Sequence, residues 1–349
     1  MTAPASTPDP ALRCLNLALQ GGGSHGAFTW GVLDALLEEG NFQFPGISGT
    51  SAGAMNAVAL AHGFATAALE FPDDPEAYHA AARTSARATL RQLWEGVGAM
   101  GAYTLGVPVI SNPLMNMMSQ FLSPYQINPL DINPLRSLLE RTVDFDALQQ
   151  AQSHALMPQL FLCATNVRTG KGEIFSGERV SADAVMASAC LPQLYKAVEI
   201  DGQHYWDGGF SGNPALYPLI YRTECRDMLL VQINPLEHDP LPETAADIAD
   251  RMNEVMFNAG LLGELRAIDF VRRLLAEGKL DPARYKSVLM HRIDGGAALA
   301  QFGAASKSRV DMGFLHRLFE LGRKEGLQWV HDHRHDVGVR QTLQVVAAA

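Results

Sequence analysis

Charge, cysteine and leader-like segments are all scarce in this chain. Of its 349 residues 18% are charged, and 27 Lys and Arg against 37 Asp and Glu leave a formal net charge of -10. That balance gives no basic field for nucleic acid and argues against strong electrostatic docking on anionic membranes. Any transient membrane contact has to be hydrophobic. The four cysteines, Cys14, Cys163, Cys190 and Cys225, form no C-x-x-C pair and no disulfide-like spacing. Cys14, Cys163 and Cys190 sit among apolar or small neighbours and read as buried free thiols. The opening "MTAPASTPDPALR" lacks a basic stretch followed by an apolar one. No secretory signal is visible, so a cytoplasmic location is the default expectation. No D-x-D-x-D-G calcium loop is present, and neither a metal nor a cofactor is expected.

From Gly96 to Leu130 there is no Asp, Glu, Lys or Arg at all. Pro108, Asn112, Pro113 and Asn116 interrupt this segment, so no run in it is long and apolar enough to span a bilayer. Loops and short helices packed on the core would explain it. A Met-rich lid or acyl-chain groove is the sharper alternative, since such segments adapt to irregular apolar ligands.

What is present describes a globular chain, with 47% hydrophobic residues and length enough for a large core. "CLNLAL" reads as a short buried strand that enters a glycine turn. From His25 to Glu39 the positions Phe28, Val32 and Leu36 recur at helical spacing, and Gly40 suits the residue past the helix end. "FPGIS" is a second strand, broken by "GTSAG" and followed by the helical "AMNAVALAHGF". Strand, helix, strand, helix predicts an α/β unit with parallel strands. Beyond a mixed-charge helix ending in "LRQLWEG", the pattern resumes with the helix "RSLLERTV" and the strand "LFLCATNV". A helix capped by Ser181 follows, then a hairpin turning at Asp201-Gly202. The strand "MLLVQI", a helical stretch from Thr244 to Leu280, the strand-like "KSVLMHRI" and a C-terminal helix complete the chain. One large domain over residues 13–340 is the simplest organisation. It carries a mostly helical or irregular insertion at about 62–135, a flexible tail at 1–12 and a second tail at 341–349.

Gly49-Thr50-Ser51-Ala52-Gly53 is a G-x-S-x-G between a predicted strand and a predicted helix. In that setting it describes a nucleophile elbow, in which a strained turn lifts the Ser51 hydroxyl clear. Gly21, Gly23 and Gly26 also fit the G-x-G-x-x-G of a dinucleotide turn. Such a site wants an acidic residue near the end of the second strand, whereas "ISGTSAG" offers the serine elbow and no acid. The glycine loop therefore reads as an oxyanion hole, with the N–H groups of Gly22, Gly23 and Ser24 facing Ser51. The carboxylate that stands out is Asp207 in "YWDGGFSGNP", directly after a strand and before Gly208 and Gly209; a plain Asp-Gly turn is the alternative. Among eleven histidines, His291 is the best candidate for a conventional triad, and His204 sits in a hairpin. "HDHRH" (His331, His333, His335) is either a metal tract or, more simply, a solvated helix end.

In this order the motifs resemble those of the patatin-like phospholipase family: Gly21-Gly22-Gly23-Ser24-His25-Gly26, Gly49 to Gly53, and Asp207-Gly208-Gly209. "ASACLPQLY" resembles the family's segment ahead of the aspartate, and the similarity runs from about Leu15 to Pro214. One departure is His25, where many members carry Arg or Lys. The resemblance implies a three-layer α/β/α sandwich with a mainly parallel central sheet. It implies a Ser51–Asp207 dyad, an oxyanion hole at Gly22, Gly23 and Ser24, and motif support from Gly21, Gly26, Gly49, Gly53, Gly208 and Gly209. The implied reaction is metal-free cleavage of carboxylic ester bonds of lipids through an acyl-enzyme, of phospholipase A or lysophospholipase type. An esterase or thioesterase on soluble acyl substrates, or a non-catalytic acyl-chain-binding protein, are the alternatives.

Overall fold

The computed structural model describes residues 12–104, 123–128, 131–237 and 241–343. The strands are β1 (Arg13–Cys14), β2 (Asn16–Leu19), β3 (Phe42–Gln43), β4 (Gly46–Gly49), β5 (Gln159–Asn166), β6 (Gly172–Phe175), β7 (Val198–Ile200), β8 (Gln203–Asp207), β9 (Asp227–Gln232) and β10 (Leu289–Asp294). Apart from a small β1–β3 pair they form one sheet whose pairings run β10-β9-β2-β4-β5-β8-β7, with β6 along the other edge of β5. From β10 to β5 every pairing is parallel, while β6, β7 and β8 join antiparallel.

Side-chain alternation splits this sheet between two cores. Leu17, Leu19, Leu229 and Val231 point into the larger core, while Ala18, Met228 and Leu230 point into the smaller one. On the larger side lie α1 (Gly26–Glu39), α2 (Ala52–Glu70), α3 (Pro75–Thr104) and the helix Met312–His333. The opposite face is covered by Leu216 and Leu219 and by Leu261, Leu265 and Ile268 of the helix Ala245–Ala276. Two helical layers around a mainly parallel sheet make the expected α/β/α sandwich.

Helix ends and turns follow their residues. Gly40 closes α1 with φ 73°, the Ser181 hydroxyl accepts from the Ala184 N–H, and Asp201 and Gly202 both adopt positive φ in the hairpin turn. The apolar α2 has the length and hydropathy of a membrane-crossing helix, but 83% of its most apolar window is buried within the fold. The uncharged segment starts as the end of α3, where Val97 is buried in the core. Residues 105–122 and 129–130, on which the lid expectation largely rests, lie outside the described residues, as do 1–11 and 344–349.

One cysteine expectation is overturned. Cys14 is not a free thiol but forms a disulfide with Cys225, across a sequence separation of 211 and a Cα–Cα distance of 5.9 Å. The cause is topological: Asn16 and Met228 pair directly between β2 and β9, which brings together cysteines that sequence spacing keeps far apart. Cys163 and Cys190 are free and buried, as expected.

The two helices that bracket the domain meet through glycine. A Cβ on Gly322 would lie 1.9 Å from the Phe28 carbonyl oxygen, and one on Gly31 would lie 2.0 Å from that of Phe319. Neither backbone can give way without separating the helices. We expect Gly322→Ala to lower unfolding stability by about 1–3 kcal/mol, the usual cost of overpacking. Gly263→Ala, at a helical position with nothing within 4 Å, should instead raise it by about 0.5–1 kcal/mol. Urea denaturation of the two variants checks both signs.

Candidate active site

The glycine loop and the G-x-S-x-G turn leave the C-terminal ends of β2 and β4, which are paired neighbours with Leu19 opposite Gly49. Ser51 sits at φ 55°, ψ -122°, a backbone conformation that a residue with a side chain rarely adopts. Its surroundings hold it there. The Ser51 N–H donates to the Ser188 hydroxyl at 2.9 Å, and that hydroxyl donates to the Cys163 carbonyl at 2.6 Å. A Cβ on Gly53 would lie 2.1 Å from the Leu19 carbonyl oxygen, and one on Gly49 would lie 2.5 Å from that of Gly53. Both flanking glycines are therefore required by close packing.

Asp207 reaches the same place by register. β4 pairs with β5 through Gly49 opposite Leu162, and β8 pairs with β5 through Ala164 opposite Asp207. β6 shares Leu162 with β4 and Ala164 with β8, so β4 and β8 must lie along the same edge of β5. β8 thus continues the column that β4 vacates. Asp207 stands two residues beyond Gly49, about 6.6 Å along the strand, over the elbow.

The Asp207 carboxyl is 1% exposed. Its Oδ1 accepts from the Gly209 N–H at 2.7 Å, and Oδ2 is buried with no hydrogen-bond partner. Burial pushes its pKa up to about 7, against the opposing pull of the Gly209 N–H and the Ser51 hydroxyl. Ser51 is thus near enough to favour the carboxylate, yet not in full bonding geometry with Oδ2. Serine–base contacts of this kind are commonly long until substrate is bound. The backbone of Asp207 is fixed by its N–H to the Cys190 carbonyl and by the Thr165 hydroxyl on its own carbonyl. A Cβ on Gly208 would lie 2.0 Å from the Cys163 carbonyl oxygen.

The glycine loop lies directly on the elbow: a Cβ on Gly21 would meet the Thr50 oxygen at 2.5 Å and the Ser51 Cβ at 2.7 Å. Gly23 has φ 57° and opens a short 3-10 turn, Gly23–His25. The leading N–H groups of such a turn have no acceptor within it. Those of Gly22, Gly23 and Ser24 find none elsewhere among the described residues. Gly26 is needed where α1 passes α2, since its Cβ would lie 2.7 Å from that of Ala52.

Sequence reasoning missed the residues that hold this loop. Gln20 Oε1 accepts from the Ile233 and Asn234 N–H groups, and Gln20 Nε2 donates to Asn258. Gly21 is gripped at both peptide groups, its N–H by Asn213 Oδ1 at 2.7 Å and its carbonyl by Asn234 Nδ2 at 2.6 Å. Asn213 follows the aspartate motif closely and Gln20 abuts the glycines, but nothing in the sequence marks either as a ligand of the loop.

The remaining candidates are not brought to Ser51. His291 lies inside β10, fully buried, with Nε2 to Asp227 at 2.9 Å and Nδ1 to Thr342 at 3.0 Å. Both ring nitrogens are committed, so it supplies no base for a triad. His204 is in the exposed hairpin, and His333 at the C-terminal helix end pairs with Asp336 at 3.1 Å. Among the described residues no cluster of three or more His, Cys, Asp or Glu is disposed around a metal.

The buried carboxyl has a stability consequence whose sign is fixed. Because the folded pKa of Asp207 is raised from 3.8 to about 7, the native state holds the proton more tightly than the unfolded chain between those values. Stability contributed by this group falls as pH rises through that window. Asp207→Asn should therefore melt a few degrees above wild type at pH 8, with the difference closing toward pH 4. Equal melting temperatures at pH 8 would show that the carboxyl is not desolvated.

The family model for patatin-like phospholipases matches residues 17–220, more than half of the chain. No curated protein matches it. Among solved structures, VipD from Legionella pneumophila is similar at 17% identity and a TM-score of 0.42, covering 93% of this chain and 67% of that one. ExoU, from the type III secretion system of Pseudomonas aeruginosa and crystallised with SpcU, matches at 14% identity and a TM-score of 0.29. That match covers 90% of this chain and 53% of the ExoU structure, so the chain spans about half of ExoU's length. The family match, with its motifs set on adjoining strand ends of an α/β/α sandwich, places the chain in the patatin-like phospholipase family of lipid acyl hydrolases.

Proposed function

We propose that the chain cleaves lipid carboxylic esters through an acyl-enzyme on Ser51, with Asp207 as its base. In this reading Ser51 Oγ attacks the ester carbonyl carbon while its proton passes to Asp207. The N–H groups of Gly22, Gly23 and Ser24 meet the oxyanion that forms, each donor worth roughly 3 kcal/mol in comparable sites. Collapse expels the alcohol, which takes the proton from Asp207. Water then enters and gives up its proton to Asp207 as it attacks the acyl carbon, and the fatty acid leaves as Ser51 Oγ takes that proton back from Asp207.

The observation that carries the reading is the Asp207 carboxyl: buried, with one free oxygen, beside a serine in a strained turn. A carboxylate with an ordinary pKa near 3.9 is a poor base at neutral pH, and burial raises this one to about 7. Preference for lipids over soluble esters is supported by the helix Ala245–Ala276. Its Phe257 ring lies against Gly209, while Ile248, Met252, Val255 and Met256 recur, exposed, at helical spacing along it. Such an exposed apolar stripe suits contact with a lipid phase.

The test is hydrolysis of a medium-chain p-nitrophenyl ester and of phospholipid vesicles, with a fluorophosphonate label located by mass. Ser51→Ala and Asp207→Asn should each lose at least about 10³-fold in kcat, and the label should sit on Ser51. Because the base works ionised, kcat/KM should fall tenfold per pH unit below about 7 and level off above it. Turnover that survives in Asp207→Asn would overturn the dyad. Esters cleaved with vesicles untouched would favour a soluble acyl substrate.

A further inference from the structure

The glycine loop carries no permanent charge of its own. His25 is buried, and its pKa is lowered to about 4 by that burial and by the charge of Lys307. The loop is instead covered by a turn far beyond the matched residues 17–220, the 3-10 segment Ala304–Ser308. Three contacts fasten it. A Cβ on Gly23 would lie 2.4 Å from the Lys307 carbonyl oxygen, so the two backbones touch. Ser306 Oγ and His25 Nε2 are 2.7 Å apart. Lys307 Nζ donates to Asn234 Oδ1 at 2.7 Å, and the amide of the same Asn234 donates to the Gly21 carbonyl at 2.6 Å.

Resting on the serine mechanism above, we infer that Lys307 is a positioning residue for this reaction. Its ammonium, held on Asn234, supplies from the C-terminal segment the positive charge that the glycine loop lacks. Geometry gives the charge two ways to act. Through Asn234 it orients the amide that fixes Gly21, and with it the direction of the Gly22, Gly23 and Ser24 N–H groups. As a cation shielded from water, one hydrogen bond beyond the loop, it also favours the oxyanion over the uncharged ester. Asn234 Oδ1 lies 3.5 Å from where a Cβ on Gly22 would be, so the ammonium is anchored at the loop itself. Burial lowers the Lys307 pKa from its ordinary value, and on the other side Glu254 and Asp250 of the helix Ala245–Ala276 oppose that shift and favour the charged form. Glu254 is itself paired with Arg251 at 3.1 Å.

Three substitutions separate charge from support. Lys307→Met removes charge and donor, Lys307→Gln keeps a donor toward Asn234 without charge, and Lys307→Arg keeps both. Each is assayed in the full chain for p-nitrophenyl ester turnover, for the rate of fluorophosphonate labelling at Ser51, and for melting temperature. Both neutral variants should lose 10- to 100-fold in kcat and a similar factor in labelling rate. Their KM should change less than about twofold and their melting temperature by only a few degrees, with Lys307→Arg recovering most of the loss. A folded Lys307→Met with kcat within twofold of wild type overturns the inference, while the Ser51 reading stands. Activity kept in Lys307→Gln but lost in Lys307→Met would leave Lys307 only a donor to Asn234, which overturns the role inferred for its charge. A wild type that neither turns over nor labels at Ser51 would overturn the serine reading and this inference together.

Discussion

The carboxyl of Asp207 is held out of water with one firm hydrogen bond and one idle oxygen, and much of the fold can be understood as what keeps it there. Desolvating a carboxyl is costly unless it is protonated or paired. Strand pairing of β8 on β5 supplies the placement, the Gly209 N–H satisfies one oxygen, and Gly208 lets the chain turn against the Cys163 carbonyl. None of these neutralises the charge that ionisation would create. The protein thus tolerates a group that would be more comfortable as an amide, in line with the general trade between stability and activity.

The second organising device is a set of buried amides. Gln20, Asn213, Asn234 and Asn258 bind one another's neighbours and the ends of β2 and β9, so the glycine loop is fixed by side chains rather than by regular structure. Glycine there is conformationally free in the unfolded chain, and these anchors hold the loop's backbone in one conformation. Buried networks of this sort specify a geometry when fully satisfied. The same logic explains Ser188, whose hydroxyl joins the elbow to β5 and gives the "ASAC" segment a physical task.

Much of this was legible in the chain. Periodicity and turn chemistry identify α1, α2, the hairpin at Asp201-Gly202 and the long C-terminal helices, because those signals are local. Gly49 to Gly53 and Asp207 to Gly209 are legible for the same reason: each is a turn whose glycines meet backbone within a few ångströms. What sequence could not show was long-range. The Cys14–Cys225 bridge, the loss of His291 to Asp227 and Thr342, and the approach of Lys307 to Gly23 all depend on which strands and segments become neighbours. Asn213, Asn234 and Gln20 are common polar residues, and no local pattern distinguishes an amide that grips a loop from one that faces solvent.

β5 behaves as a ruler for the two halves of the site. Leu162 indexes the serine turn and Ala164 indexes Asp207, on one edge of one strand. An insertion of a single residue between them would displace the aspartate by about 3.3 Å and turn it to the opposite face of the sheet. Away from the serine turn, β6 and Ser188, the loops in the stretches that join β4 to β5 and β5 to β8 are under no such restraint, since they start and end on the sheet whatever their length. Divergence in this lineage is therefore expected to be written as changes in segment length outside β5, with the three residues Leu162, Cys163 and Ala164 passed on as an indivisible spacer.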